Sequence, residues 1–340
     1  MSDRDANAME KKAGIWLSSD INIDDPIKID PALFPDWNAH PIFSHFGRRL
    51  YHQLDADSAL YSARAFAVMH NDTPQLICFC SVGGNILSAF GLPIVLAPRS
   101  DLGKKRKKAV FAEAFRHLHL LGEQSGAKTA QILGSTNEKP LGSVDLACLT
   151  QSASPSSQIN AVVDVSLGEA NIRKNLRDSY RSLVNWGSRQ LQMHYVNDAN
   201  PDKTLFERYS TFHADIAGGT VRAQNYWSVF WEEIIAGRAE LSLGFLADGS
   251  LVSGTIVTDA KTTSYYTSGV YDRSKFDKPL GHYPVFDAMV RAGERGQTSF
   301  DLGQVYSIDS DVSDKERQIG FFKKGFTSHF QIRFIWTVTF

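Results

Sequence analysis

Cysteine, net charge and long apolar runs are all scarce in this sequence, and each scarcity excludes something. Three cysteines, Cys78, Cys80 and Cys148, are too few among 340 residues for a disulfide scaffold. Cys78 and Cys80 stand two apart in a β-like run, so they share one face and do not bridge each other. A formal net charge of -1 leaves no global field to attract nucleic acid; any anion site has to be local. The opening MSDRDANAMEKK lacks the apolar core of a secretory signal. The most apolar stretch, NILSAFGLPIVLA, is short and broken by Gly and Pro, so no run is long enough to span a membrane. HExxH, paired CxxC, GxSxG and the P-loop are absent, which removes support for metal hydrolysis, serine chemistry and NTP hydrolysis. The expectation is a reduced, cytoplasmic, enzyme-like protein with no metal, no DNA partner and no transmembrane segment.

What is present is enough chain for two lobes. After a proline-punctuated aromatic segment (PALFPDWNAHPIFSHFG), Ala65 to Met69 and Gln75 to Val82 read as strands, and Asn85 to Ala97 as a further apolar strand. A helix from about Lys104 to Gln124 carries Val110, Phe111, Ala114, Phe115, Leu118 and Leu121 on its apolar side. Lys128 to Leu133 then reads as a strand ending in Leu-Gly. The second half repeats this order. Leu241 to Ala247 and Ser250 to Asp259 flank Asp248-Gly249, a strong hairpin signal. Thr262 to Val270 reads as a third strand, Gly281 to Arg295 as a helix and Thr298 to Leu302 as a strand ending in Leu-Gly. GEQSGAKTAQILG (122 to 134) and GERGQTSFDLG (293 to 303) share helix end, glycine, strand and Leu-Gly, an ordered internal duplication. Ser152 to Gln158 (SASPSSQ) suits a boundary, giving lobes 1–158 and 159–340. The expected class is α/β (α+β): two tandem lobes, each a mixed β-sheet flanked by helices.

Four stretches can carry chemistry. A helix is expected over Glu169 to Arg189, with Ser166 and Glu169 spaced as a capping box. Arg173, Arg177 and Arg181 fall four apart on it, a row of donors for phosphate or carboxylate, or else a solvated basic face. Arg181, deepest in the helix and beside Tyr180, is the preferred member. GKKRKKAVF puts Lys104, Lys105, Arg106, Lys107 and Lys108 at a helix start, where cations oppose the helix dipole. It reads as a solvated corner before it reads as a phosphate or RNA contact. KPLGHYPVF opens the helix of the second copy. Its backbone amides can receive an anion, although Tyr283 is bulky for close approach, and His282 is a base or a plain helix-start residue. Finally, FDLGQVYSIDSDVSDKERQIGFFKKGF places Asp301 at the C-terminal end of a strand, where α/β crevices open. Gly303 permits a sharp exit, and Gln304 and Tyr306 lie beyond it. Phe322 and Phe326 flank lysines of which Lys323 is held at the crevice while the other reaches solvent; the alternative is that both snorkel.

IRKNLRDSYRSLVNWGSR, the YYTSG strand with Tyr266, GHYPVFDAMVRAGERGQTSFDLG and FFKKGF together resemble the FemAB-like acyltransferases, the "acetyltransferase 6" branch of the GNAT superfamily, across Asp164 to Phe326. The resemblance implies two GNAT-like lobes and transfer of an acyl or aminoacyl group to an amine on a sugar-nucleotide or cell-envelope precursor. Lys323 matches the lysine of the family's Phe-Lys-x-Gly-Phe motif, which stabilises the acyl-transfer centre, and Arg181 the arginine that meets substrate phosphate. Three departures stand out. Lys278-Pro-Leu-Gly281-His-Tyr283 misses both ends of the usual Gln/Arg-x-x-Gly-x-Gly/Ala pyrophosphate motif, the usual glycine after the final phenylalanine is Thr327, and the long helical arm of tRNA-using members has no counterpart. Lys323, Asp301, Tyr306 and His282 are therefore the catalytic candidates. Arg181, Arg177, Tyr266, Tyr283, Gln304 and Phe322 are the substrate-binding ones. Three readings stand: an N-acyltransferase using acyl-CoA or an acyl carrier as co-substrate, with no tightly bound cofactor; an aminoacyl-tRNA-dependent transferase; and a non-catalytic binding protein.

Overall fold

Alternating apolar residues and turn signals become strands here, and the connections between them decide where a site can open. The computed structural model describes residues 16–19, 33–34, 62–71, 73–136, 140–217, 224–306 and 311–340. The expected proline-punctuated segment lies outside the described residues except at 33–34. The chain divides into two compact units: the described residues up to Ser157 with Arg333–Phe340, and Gln158–Ile332. No helix among the described residues is long and apolar enough to cross a membrane.

The first unit begins with β1 (Trp16–Ser19), β2 (Ser62–His70), β3 (Thr73–Gly83), β4 (Ile86–Ser88) and β5 (Leu96–Pro98). It continues with α1 (Lys104–Ser125), β6 (Thr129–Thr136), α2 (Ser143–Thr150) and the start of β7 (Ser154–Asp164). The single strand expected over Asn85 to Ala97 is broken in the middle. Ala89 bridges back to Leu92 across Phe90 and Gly91, both left-handed (φ 51° and 83°), and Pro93 has no N–H to continue a ladder. On α1, Val110, Phe111, Ala114, Phe115 and Leu118 are buried with Phe66, Cys78 and Leu96. Each of the larger side chains, Ala114 apart, contributes about 1.5–3 kcal/mol on withdrawal from water. Gly126 ends the helix in the left-handed conformation that favours glycine (φ 72°).

The second unit carries the rest of β7, α3 (Gly168–Asn175), α4 (Asp178–Gln190), β8 (Gln192–Val196), α5 (Lys203–Ala217), α6 (Gln224–Ile235), β9 (Ala239–Phe245) and β10 (Leu251–Ala260). β11 (Thr263–Tyr271), α7 (His282–Glu294), β12 (Ser299–Val305) and α8 (Asp314–Lys324) follow. Its strands run in the order β7-β12-β11-β10-β9-β8. β13 (Phe330–Thr339) comes last, and from Arg333 onward it pairs antiparallel with β6 of the first unit. The lobe expected over 159–340 thus gives up its final strand, because Ile335, Trp336 and Val338 find their partners beside β6.

The duplication is visible in each unit. In the first, α1 leads to β6, which pairs parallel with β4 (Ile86↔Thr129, Leu87↔Ala130); in the second, α7 leads to β12, which pairs parallel with β11. The helix expected over Glu169 to Arg189 is instead two, α3 and α4. Leu176 and Arg177 between them are extended (ψ 145° and 139°), and the Arg177 N–H goes to the Gly325 carbonyl at 2.9 Å. The expected capping box is absent: the Ser166 hydroxyl and N–H both go to Asp164 Oδ1, at 2.6 and 3.0 Å.

Candidate active site

β11 and β12 pair over only three positions, Thr263↔Ser299, Ser264↔Phe300 and Tyr265↔Asp301. Beyond these both strands continue, to Tyr271 and Val305, without pairing to each other. Bulges accompany the parting. The register of β12 on β7 shifts between Asp301 and Gly303, with Gly303 at φ 88°, and β11 shifts on β10 near Thr267. Two parallel strands that part at their C-terminal ends, with the start of α7 above, leave a V in the ladder. Such strand ends are where α/β proteins bind ligands.

The β12 limb of the V holds the lysine. The capping box of Ser313 and Glu316 starts α8, and the helix returns along β12. Lys323 is half-buried in the last turn of that helix, not in a loop past a strand, and its Nζ donates to the Gln304 carbonyl at 3.3 Å. A Cβ on Gly303 would lie 3.0 Å from that Nζ, so the missing side chain is what admits the amine. Burial pushes the Lys323 pKa down, opposed by the charge of Asp301. The expectation that the second lysine reaches solvent is corrected: Lys324 is half-buried and donates to the Tyr306 carbonyl. Both lysines tie α8 to the end of β12.

Asp301 sits inside β12, not at its end, and is 2% exposed. Its two oxygens accept from Asn160 Nδ2 at 3.1 Å each, and Oδ1 accepts the Gly303 N–H at 2.7 Å. A carboxylate held in this way supplies a fixed charge beneath the V. Tyr306 is half-buried against Gly320, its phenol pushed up by burial and by Glu316, and Gln304 is exposed.

Aromatic side chains join α4, α7 and α8 around Lys323. The Tyr180 hydroxyl donates to the Phe322 carbonyl at 3.0 Å, and its ring meets His282 edge-on at 4.5 Å and Phe326 at 5.2 Å. His282 lies edge-on to Phe322 at 5.2 Å, and its buried Nδ1 has no hydrogen-bond partner. Burial lowers the His282 pKa, partly offset by the Pro279 carbonyl, so the imidazole is uncharged at neutral pH. On the β11 limb the hydroxyls of Tyr266 and Tyr271 bond each other at 2.8 Å. Tyr271 and Phe322 both crowd Gly281, where a Cβ would lie 3.0 and 3.2 Å from their rings. Tyr283 points elsewhere, against Gly187 of α4. Asn160, Tyr180 and Tyr271 were not singled out from the sequence. Only Tyr271, an aromatic at the end of β11, carried a local signal.

The arginines form no row. Arg173 bonds Asn185 at 2.8 Å and Glu169 at 3.2 Å, and Arg181 turns back to the Lys174 carbonyl at 3.0 Å and to Asp178 at 3.4 Å. The break before α4 separates them and brings Arg177 to α8, its guanidinium 4.2 Å from the Phe321 ring centre and 5.2 Å from that of Tyr180. Arg177, rather than Arg181, therefore neighbours the helix of Lys323. Lys104, Lys105, Arg106 and Lys108 are exposed at the start of α1, whose N-terminal Gly103 offers no side-chain cap.

No protein-family model matches the chain, and no curated protein matches it. Solved structures share its fold. FemX aligns with a TM-score of 0.57 at 12% identity, over 83% of this chain and 90% of that one. L-PGS from Bacillus licheniformis aligns at 0.55 and 12%, over 81% and 83%. A tandem GNAT protein from the clavulanic acid biosynthesis pathway aligns at 0.52 and 10%, over 96% and 98%. At such identities the likeness establishes the fold alone: two GNAT-type lobes, as the sequence motifs implied.

Proposed function

We propose that this protein is an acyltransferase that moves an acyl group from an activated ester or thioester to an amine, and that the V between β11 and β12 is where transfer occurs. The observation that carries the reading is the half-buried Lys323 amine, admitted by Gly303 into the β12 limb and held by the Gln304 carbonyl. In the reaction the amine nitrogen attacks the carbonyl carbon. The C–N bond forms, the C–S or C–O bond breaks, and the leaving group takes up a proton while the nitrogen loses one. Lys323, as an ammonium with lowered pKa, stabilises the developing oxyanion and can protonate the leaving group. His282, neutral with an open nitrogen, is the favoured acceptor for the amine's proton; Tyr306 is the other candidate. Asp301 acts through Lys323 by its charge, and Arg177 meets an anionic part of the substrate.

The shared fold with FemX, L-PGS and a tandem GNAT protein supports this class of reaction over a purely binding role. The donor is proposed as acyl-CoA, with an acyl carrier or aminoacyl-tRNA as the other sources of an activated acyl group. The acceptor is proposed as an amino sugar or a related envelope precursor met in the cytoplasm. The test is thermal stabilisation and single-turnover transfer with short acyl-CoAs, UDP-amino sugars and charged tRNA. A shift with a donor, and transfer that is lost in Lys323→Ala with the fold intact, supports the reading. No donor binding, or undiminished transfer in Lys323→Ala, overturns it.

A further inference from the structure

The β11 limb of the V is lined differently from the β12 limb. In the β10–β11 register Ser253 lies opposite Tyr271 and Thr255 opposite Gly269, so all four project to one face. A Cβ on Gly269 would collide with the Tyr266 hydroxyl, so the glycine is what lets the two phenols meet above Thr255. Ser253 and Thr255 are fully buried; the Ser253 hydroxyl has no hydrogen-bond partner, and the Thr255 hydroxyl reaches only the Tyr271 phenol, without a well-aligned bond. Proton counting makes the imbalance plain. Even with Thr255, Tyr271 and Tyr266 joined in a chain, three O–H groups make only two bonds and leave one over, and Ser253 adds another. Buried polar groups are ordinarily bonded, and orphans call for an explanation such as a ligand or water.

The surroundings also fix the charge of what can enter. Burial, Tyr209, Thr255 and the two phenols themselves account for the displaced titration of Tyr266 and Tyr271; no carboxylate or cation contributes. An ammonium placed there would lose its water with no counter-charge in return. A plain alkyl group would leave the spare O–H groups unpaired. A neutral group that both donates and accepts satisfies the cluster.

We propose that the transferred group carries an uncharged hydroxyl a few atoms beyond its carbonyl, and that Thr255, Ser253 and the Tyr266–Tyr271 pair receive it. This rests on the acyl-transfer reading and names its donor class, a hydroxyacyl thioester. Titration calorimetry with 3-hydroxybutyryl-CoA, butyryl-CoA and 3-aminobutyryl-CoA tests it, on the wild type and on Thr255→Val and Ser253→Ala, whose folding is checked by their melts. The hydroxyacyl thioester is expected to bind at least about tenfold tighter than the other two. Thr255→Val should erase that preference while leaving butyryl-CoA binding unchanged or improved. Ser253→Ala, the milder change, should reduce it. Equal binding of hydroxybutyryl and butyryl thioesters by the wild type overturns the inference and leaves the acyltransferase reading standing, as does a preference that survives both variants. A crystal of the hydroxybutyryl complex in which only water meets the cluster overturns it too. Failure of every thioester to bind removes the acyl-CoA reading, and the inference falls with it.

Discussion

The hydroxyl of Tyr180 donates to the carbonyl of Phe322, the residue before Lys323, at 3.0 Å. The ring of Tyr180 occupies the space that a side chain at Gly325 would need. One residue of α4 thus sets the last turn of the helix that presents the lysine. Tyr180→Phe removes the bond and keeps the ring. We expect a stability loss of about 1 kcal/mol by thermal denaturation, with kcat falling more than KM changes. Rates equal to wild type would show that the bond does not position Lys323.

Lys323 and Gly303 should behave as a pair. Lys323→Ala is expected to lower kcat by about a hundredfold or more with little change in melting temperature. Gly303→Ala places a methyl on the amine's position at φ 88°. It should cost about 1–2 kcal/mol and reproduce most of the activity loss. Combining the two should add little further loss of rate, because both remove one interaction. Additive losses would separate the glycine from the lysine.

Asp301 raises the Lys323 pKa against the lowering by burial. Asp301→Asn keeps the shape that Asn160 bonds and removes the charge. The alkaline limb of the kcat profile, which tracks loss of the ammonium proton, should therefore move to lower pH. A limb that stays in place would assign that ionisation to another group.

Asp287 of α7 accepts from the Tyr195 hydroxyl at 3.0 Å, and burial pushes its carboxyl up to about 6 despite Tyr195 and Arg291; Glu240 and Glu294 add to the rise. A folded pKa above the ordinary 3.8 means that the group favours the folded state at low pH and loses that contribution as pH rises through about 6. Asp287→Asn should therefore stabilise the protein at pH 8 by about 1 kcal/mol, a figure discounted for partial exposure. The gain should shrink toward pH 4. Denaturant melts at the two pH values check this, and a gain independent of pH would discount the ionisation.

Glu240 is buried between Arg291 and Arg295, which also holds Asp259. Burial raises its pKa, but the Arg291 bond and the Arg295 charge outweigh this and hold it below the usual range. Glu240→Ala takes the paired carboxylate from Arg291 and leaves Arg295 with Asp259 alone, and is expected to cost about 3–5 kcal/mol. A loss under 1 kcal/mol, the range of a solvent-exposed pair, would mean that water replaces the carboxylate.

Local patterns in the sequence foretold local structure. Asp248-Gly249 does turn a hairpin, with Gly249 at φ 80°, and the apolar faces of α1 and α7 are the buried ones. The spacing of Trp227, Phe230 and Ile234 was there to be read as α6, and all three are buried. What the sequence hid depended on distant partners. The break at Arg177 exists because its N–H is claimed by the Gly325 carbonyl, and Lys324 turns inward because the Tyr306 carbonyl awaits it. That Lys323 and Asp301 come near each other was legible from Leu-Gly and FFKKGF. Their neighbour Tyr180 was not, since nothing in its own segment announces a carbonyl on α8.

The strand that completes the sheet beside β6 is synthesised after the whole second unit. Until it arrives, β6 presents unpaired backbone along one edge, and Asp145 waits for the indole N–H of Trp336, which it accepts at 2.8 Å. The usual order of synthesis, in which an N-terminal domain finishes before the next one begins, is therefore closed to this chain. A ribosome stalled anywhere short of Arg333 would display a half-made first unit, open at β6 to strand addition by another nascent chain.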